Sequence, residues 1–169
     1  MSKGFTREDD AEDSPAPLRQ WPRVPPGSKN YVTVSGAAAL GREMDQLQQE
    51  RATLAALQNE DSRRQLQSLD QRLSHLQQSL ESAVMVEPPA PPWDQVRFGA
   101  TIRVRDKQGE ETVYRIVGVD EADIDRDWIS WVSPLARALV NARLGERVRF
   151  RVPAGEQEVE ILEINYLHN

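Results

Sequence analysis

Glu60-Asp61 is the pair of residues in this chain whose type and spacing most invite chemistry. Two neighbouring carboxylates can share a divalent cation or a proton, provided the backbone lets them converge. Successive side chains on a helix point in different directions, so the pair can act together only in a loop. Flanked by Asn59 and Ser62, it reads as a local turn. Other chemistry is sparsely supplied. Cysteine is absent, which removes disulfides and thiolate metal sites. Histidine occurs only at His75 and His168, too few for a His-based triad or a His-rich metal centre. The expectation is a chain that is not an enzyme and carries no cofactor of its own.

A second group is suited to binding. Ser133 can accept a hydrogen bond from a free N–H at a helix start, and Pro134 fits the first helical position, where its missing N–H costs nothing. Leu135, Ala136, Ala138, Leu139 and Val140 follow as an apolar run, and Leu144-Gly145 reads as a stop. Residues 134–142 are therefore expected as a short helix between strands. Its entry turn serves either as a well-capped packing element or as a rigid loop that a partner can grip.

The acidic pair needs a support, and the flanking sequence provides one. Leu40, Met44, Leu47, Leu54 and Leu57 follow a 3-4 spacing, with Arg51 interrupting the stripe, and Ser35 is a candidate cap. Leu66, Leu69, Leu73, Leu76, Leu80 and Ala83 alternate steps of three and four without a break. These are coiled-coil seams. With Asn59–Ser62 as the only turn signal between them, residues 31–87 predict an antiparallel hairpin. Each arm, at 1.5 Å per residue, is roughly 34 Å long. An intermolecular coil would satisfy the same pattern, but the short turn favours the intramolecular hairpin and a monomer.

Pro88–Pro92 reads as a stiff linker. Residues 93–169 then alternate apolar and polar positions. Strands are predicted around 100–105, 112–119 (expected as the central one), 128–131, 147–152 and 158–166, with an acidic loop at Asp120–Asp127. Arg147, Arg149 and Arg151 lie on one strand face, read as a solvated stripe that blunts an edge. The fold class expected is α+β. Residues 1–30, with acidic residues from Glu8 to Asp13 followed by five prolines, read as a tail that cannot bury enough apolar surface to order itself. Phe5 and Trp21 are its only candidate anchors.

The net charge is −6 over 169 residues, and no segment is strongly basic. Tight autonomous binding to DNA or RNA is not expected, because phosphate neutralisation dominates such affinity; a protein partner is. No apolar run approaches the ~18 residues of a membrane span, and the N-terminus lacks a secretory pattern, so a cytoplasmic protein is expected.

Several motifs, in this order, resemble the Gre family of bacterial transcription factors. They are Val96–Thr101, Tyr114–Gly118, Asp120–Asp123, Ile129-Ser130, Ser133–Leu139 and the Pro153-Ala154-Gly155 turn. Asn30–Thr33 with Gly36 resembles the start of the family's first coil helix, and the leader Phe5–Asp10 resembles those of GreB-like members. The resemblance implies a coiled-coil hairpin joined to an FKBP-like C-terminal domain. It implies that the domain docks on the rim of the RNA polymerase secondary channel while the coil enters. In the family, two acidic residues at the coil tip help hold a catalytic magnesium ion, and the polymerase then cleaves the backtracked transcript.

Two departures matter. Nothing between Gln58 and Gln65 matches the family's acidic tip motif. The hairpin is also shorter by about one heptad per arm, which keeps the seam in register and retracts the tip by roughly 10 Å. Ligands of a shared metal need near-coordination distances. The resemblance therefore implies an elongation regulator that binds bacterial RNA polymerase, with a contact carried onto Ile129, Ser130, Trp131, Val132, Ser133 and Pro134, and no stimulation of cleavage. The alternative is a cleavage factor in which Glu60 and Asp61, beside Asn59, share the polymerase's magnesium. A prolyl isomerase and a purely structural coiled-coil dimer are weaker readings.

Overall fold

A computed structural model describes residues 21–166; Phe5, His168 and the acidic part of the expected tail lie outside them. The chain begins with strand β1 (Asn30–Thr33), followed by helix α1 (Val34–Ala55), helix α2 (Glu60–Ser82) and strand β2 (Ala83–Val86). The two helices form the expected antiparallel hairpin. Leu69 and Leu76 are its most buried seam positions, Leu40 closes its base, and Leu66, Leu73 and Leu80 are half-buried. Full burial of a leucine stabilises by roughly 1.5–3 kcal/mol, so Leu40, Leu69 and Leu76 contribute most and the half-buried positions less. Arg72 crosses between the helices to grip Glu43 with two bonds, at 2.7 and 2.9 Å. Arg51 does not break the seam; it is exposed and reaches Asp70 at 2.5 Å.

Three expectations about the hairpin are corrected. The cap of α1 is Thr33, not Ser35: its hydroxyl accepts the Gly36 N–H at 2.9 Å. Residues 31–33 are not the start of a helix. They form β1, which pairs in parallel with β2, Asn30 opposite Ala83 through Thr33 opposite Val86. This short ladder ties together the open ends of the hairpin. Leu57 drops out of the seam into the connection and is 56% exposed.

The rest is a five-stranded sheet in the order β5-β4-β3-β7-β6. Its strands are β3 (Thr101–Asp106), β4 (Glu111–Val117), β5 (Trp128–Ser130), β6 (Arg147–Val152) and β7 (Gly155–Asn165), with helix α3 (Pro134–Leu139) before β6. The fold class is α+β. The centre of the sheet is β3, not β4, because β7 returns along the far side of β3. Ile102, Val104, Ile116, Phe150 and Ile161 make its core with Ala136 and Leu139 of α3. Tyr166 is buried against Trp93 and donates to the Gln95 carbonyl at 3.2 Å. Among the described residues no helix is long and apolar enough to cross a membrane.

Candidate functional site

At the coil tip the backbone decides what the carboxylates do. Asn59 caps α2: its Oδ1 accepts the Ser62 N–H at 2.7 Å, and the Ser62 hydroxyl oxygen accepts the Asn59 N–H at 3.1 Å. This is a reciprocal capping box. Glu60 and Asp61 are consequently not in a loop. They occupy the first two positions of α2, exposed, where the helix dipole favours negative charge. As successive helical residues they diverge. Among the described residues no group of three or more His, Asp or Glu is placed to hold a metal ion, so a cation at this tip would need ligands from elsewhere.

The expected docking turn is built on a rigid floor. β5 pairs in parallel with β4, and the Trp131 N–H reaches back to the Val117 carbonyl at 2.9 Å. The Ser133 N–H bonds to the Ser130 carbonyl at 2.9 Å, and its hydroxyl caps α3 by accepting the Ala136 N–H at 3.2 Å. Pro134 takes the first helical position and is exposed. Of the six residues proposed for this contact, Ile129 and Trp131 pack inward. The Trp131 ring meets Tyr31 edge-on at 5.4 Å, and its buried Nε1 finds no partner. Ser130, Val132, Ser133 and Pro134 remain as the face of the turn.

The loop between β4 and β5, read from sequence simply as acidic, has a different role at its start. Asp120 accepts from Ser79 Oγ and from His75 Nε2, each at 2.5 Å, and its side chain is almost fully buried. Glu121 accepts the N–H groups of Gly118 at 2.8 Å and Thr33 at 2.9 Å, and also takes the Thr33 hydroxyl. One dipeptide thus holds both arms of the coil, α2 through Asp120 and the start of α1 through Glu121. The signal that could have revealed it is a pair of glycines. A methyl group at Gly36 would lie 1.8 Å from Glu121 Oε1, and one at Gly118 would lie 2.6 Å from the Tyr31 carbonyl. Beyond this dipeptide the loop forms a single 3-10 turn, Ile124–Arg126.

Trp21 is not a solvated tail residue. It stacks on His75 with ring centroids 5.5 Å apart, and the Arg72 guanidinium lies 4.4 Å from its ring centre. In the arginine stripe of β6, Arg149 reaches Glu158 at 2.7 Å and Arg147 reaches Glu160 at 3.6 Å, while on the neighbouring β3 Arg103 reaches Glu163 at 2.7 Å and Arg105 reaches Glu111 at 2.9 Å.

A family model described as the C-terminal region of transcription elongation factor GreA/GreB matches residues 90–166. The transcription elongation factor GreB of Neisseria meningitidis serogroup B is 38% identical over 156 residues, covering 83% of this chain and 96% of that protein. GreB of Yersinia pestis is 35% identical over 152 residues, covering 81% and 89%. A solved GreA/GreB elongation factor from Nitrosomonas europaea is 22% identical, with a TM-score of 0.41 over 82% of this chain and 100% of the other.

Proposed function

This chain belongs to the GreA/GreB family of transcription elongation factors, and from that premise we propose that it binds bacterial RNA polymerase at the secondary channel and regulates elongation without stimulating transcript cleavage. The sheet domain docks through the turn at Ser130, Val132, Ser133 and Pro134, and the coil points into the channel. The observation that carries the second half is the tip. Glu60 and Asp61 begin a capped helix, side by side and diverging, on a hairpin whose arms are 22 and 23 residues long.

A second reading, a cleavage factor, is favoured by one fact: both tip carboxylates are exposed. If the tip reached the polymerase active site, Glu60 or Asp61 would there join a magnesium ion held mainly by the polymerase.

The test is transcript cleavage on a stalled, backtracked polymerase complex, with binding measured in the same sample. Binding without cleavage is expected. Cleavage that is lost on Glu60→Ala or Asp61→Ala would replace this reading with the second, and an absence of binding would remove both.

A further inference from the structure

Between the start of α1 and the outer face of the sheet lies a cleft of about 590 Å³, within the size range of ordinary ligand sites. Val34, Ala38, Val86, Pro88 and Phe98 wall it, and Arg115 stands among them. Val34 is 50% exposed there. Two arginines among the described residues are half-buried, Arg72 and Arg115; the others are exposed. Arg72 has its carboxylate in Glu43. Arg115 has none within 4 Å among the described residues. Its Nη2 meets the Ser35 hydroxyl at 3.3 Å, its guanidinium lies 4.9 Å from the Trp128 ring centre, and its Nε is buried without any hydrogen-bond partner. The cross-strand neighbour of Arg115, Thr101, likewise has a buried Oγ1 with no partner.

A buried polar atom left without a partner is a persistent penalty, and native proteins rarely keep one without reason. Here a cation and an apolar wall open to the same space. The first turn of α1 contains no acidic residue of its own, and the nearby Glu121 carboxylate is spent on its cap, Thr33, and on the Gly118 N–H. The one carboxylate on the rim is the exposed Glu87. The cleft also continues toward the docking turn: Phe98 packs on Tyr31 at 5.9 Å, and Tyr31 packs on Trp131.

We propose that this cleft receives an acidic side chain, flanked by an apolar one, from the RNA polymerase surface on which the chain docks, with Arg115 as its ion-pair partner. The inference rests on the docking reading above. It extends the contact from the turn at Pro134 across Phe98 to the base of α1, and it makes Arg115 a binding residue.

The test measures affinity for a polymerase elongation complex. The variants are Arg115→Gln, Arg115→Lys, Ala38→Glu and, as a control for the turn, Pro134→Asp. Ala38 is an exposed helical position on the cleft wall, so a glutamate there supplies the missing carboxylate from within and blocks the incoming one. Arg115→Gln and Ala38→Glu are each expected to weaken binding about tenfold or more, and Arg115→Lys to restore part of the loss, all with melting temperatures close to the wild type. If Pro134→Asp weakens binding while Arg115→Gln and Ala38→Glu do not, the cleft is outside the contact and the inference fails alone. If the wild-type chain does not bind, the docking reading fails and takes the inference with it. A wild-type dimer that Arg115→Gln dissociates, or acetate that raises the melting temperature of the wild type but not of Arg115→Gln, would give the cleft to a second copy or to a free anion and overturn the proposal.

Discussion

The Glu121 carboxylate closes on Thr33, taking its backbone N–H at 2.9 Å through Oε2 and its hydroxyl through Oε1. Thr33 is itself the cap of α1, so the residue that starts the coil is held by the sheet domain. Next to it, Asp120 holds Ser79 and His75 near the end of α2. The direction in which the coil leaves the sheet domain is therefore set by two adjacent carboxylates.

Glu121→Ala leaves the N–H groups of Thr33 and Gly118 without their acceptor and is expected to lower stability by about 2 kcal/mol. Gly36→Ala forces the same carboxylate away, because the new methyl group would lie 1.8 Å from Oε1, and is expected to lose a similar amount. The double variant should lose clearly less than the sum, since the clash disappears with the side chain. Denaturant unfolding of the three variants measures this, and additive losses would mean that Glu121 and Gly36 act independently.

The seam makes a sharper distinction than its spacing does. Leu76 is 0% exposed whereas Leu57, in the same sequence pattern, is 56% exposed. Leu76→Asp places an unpaired charge in the hairpin core and is expected to cost about 4 kcal/mol. Leu57→Asp should change stability by no more than about 0.5 kcal/mol. Circular dichroism during thermal unfolding reads both, and equal effects would contradict the hairpin register.

The hairpin, the five strands and α3 were legible because each is written in local periodicity: 3-4 steps for the coil, alternation for the strands, and Ser-Pro at the entry of α3. The parallel pairing of β1 with β2 was not legible. Asn30–Thr33 and Ala83–Val86 pair across the whole hairpin, from Val34 to Ser82, and no local pattern records that meeting. The roles of Asp120 and Glu121 were hidden for a related reason. A run of acidic residues looks solvated until the carboxylates are seen to meet backbone N–H groups of a distant segment. At the tip, Asn59 and Ser62 were correctly seen as a boundary, but reciprocal capping places Glu60 and Asp61 on the helix side of it. For Trp131 the sequence left interface and core equally open, and the structure adds that its ring packs edge-on against Tyr31.

Stability on the acid side should depend on salt. The Arg105 guanidinium, by hydrogen bonding, holds the Glu111 carboxyl below its ordinary range, and Arg149 does the same for Glu158. With folded values depressed, the native state binds fewer protons than the unfolded chain. The contribution is complete above the ordinary carboxylate range and is lost as pH falls through the depressed values. Arg105, Glu111 and Arg149 are exposed and Glu158 is partly covered, so solvent screens both pairs, the second less. A shallow fall in melting temperature is expected on acidification, smaller still in about 1 M salt. A fall that salt leaves unchanged would place its source elsewhere.

The turn at Ser130–Pro134 separates residues that support the fold from residues that face outward. Trp131→Ala removes a ring packed on Tyr31 and on the edge of the sheet core, and should destabilise the chain by about 3 kcal/mol. Pro134→Asp acts at an exposed first helical position, where an acidic residue suits the helix dipole and a proline N–H was never available. Its melting temperature should stay near that of the wild type. If the turn docks on polymerase, the added charge should weaken binding about tenfold or more. Affinity for the elongation complex and thermal unfolding, measured on both variants, decide the matter: a folded Pro134→Asp that binds like the wild type would move the contact away from this turn.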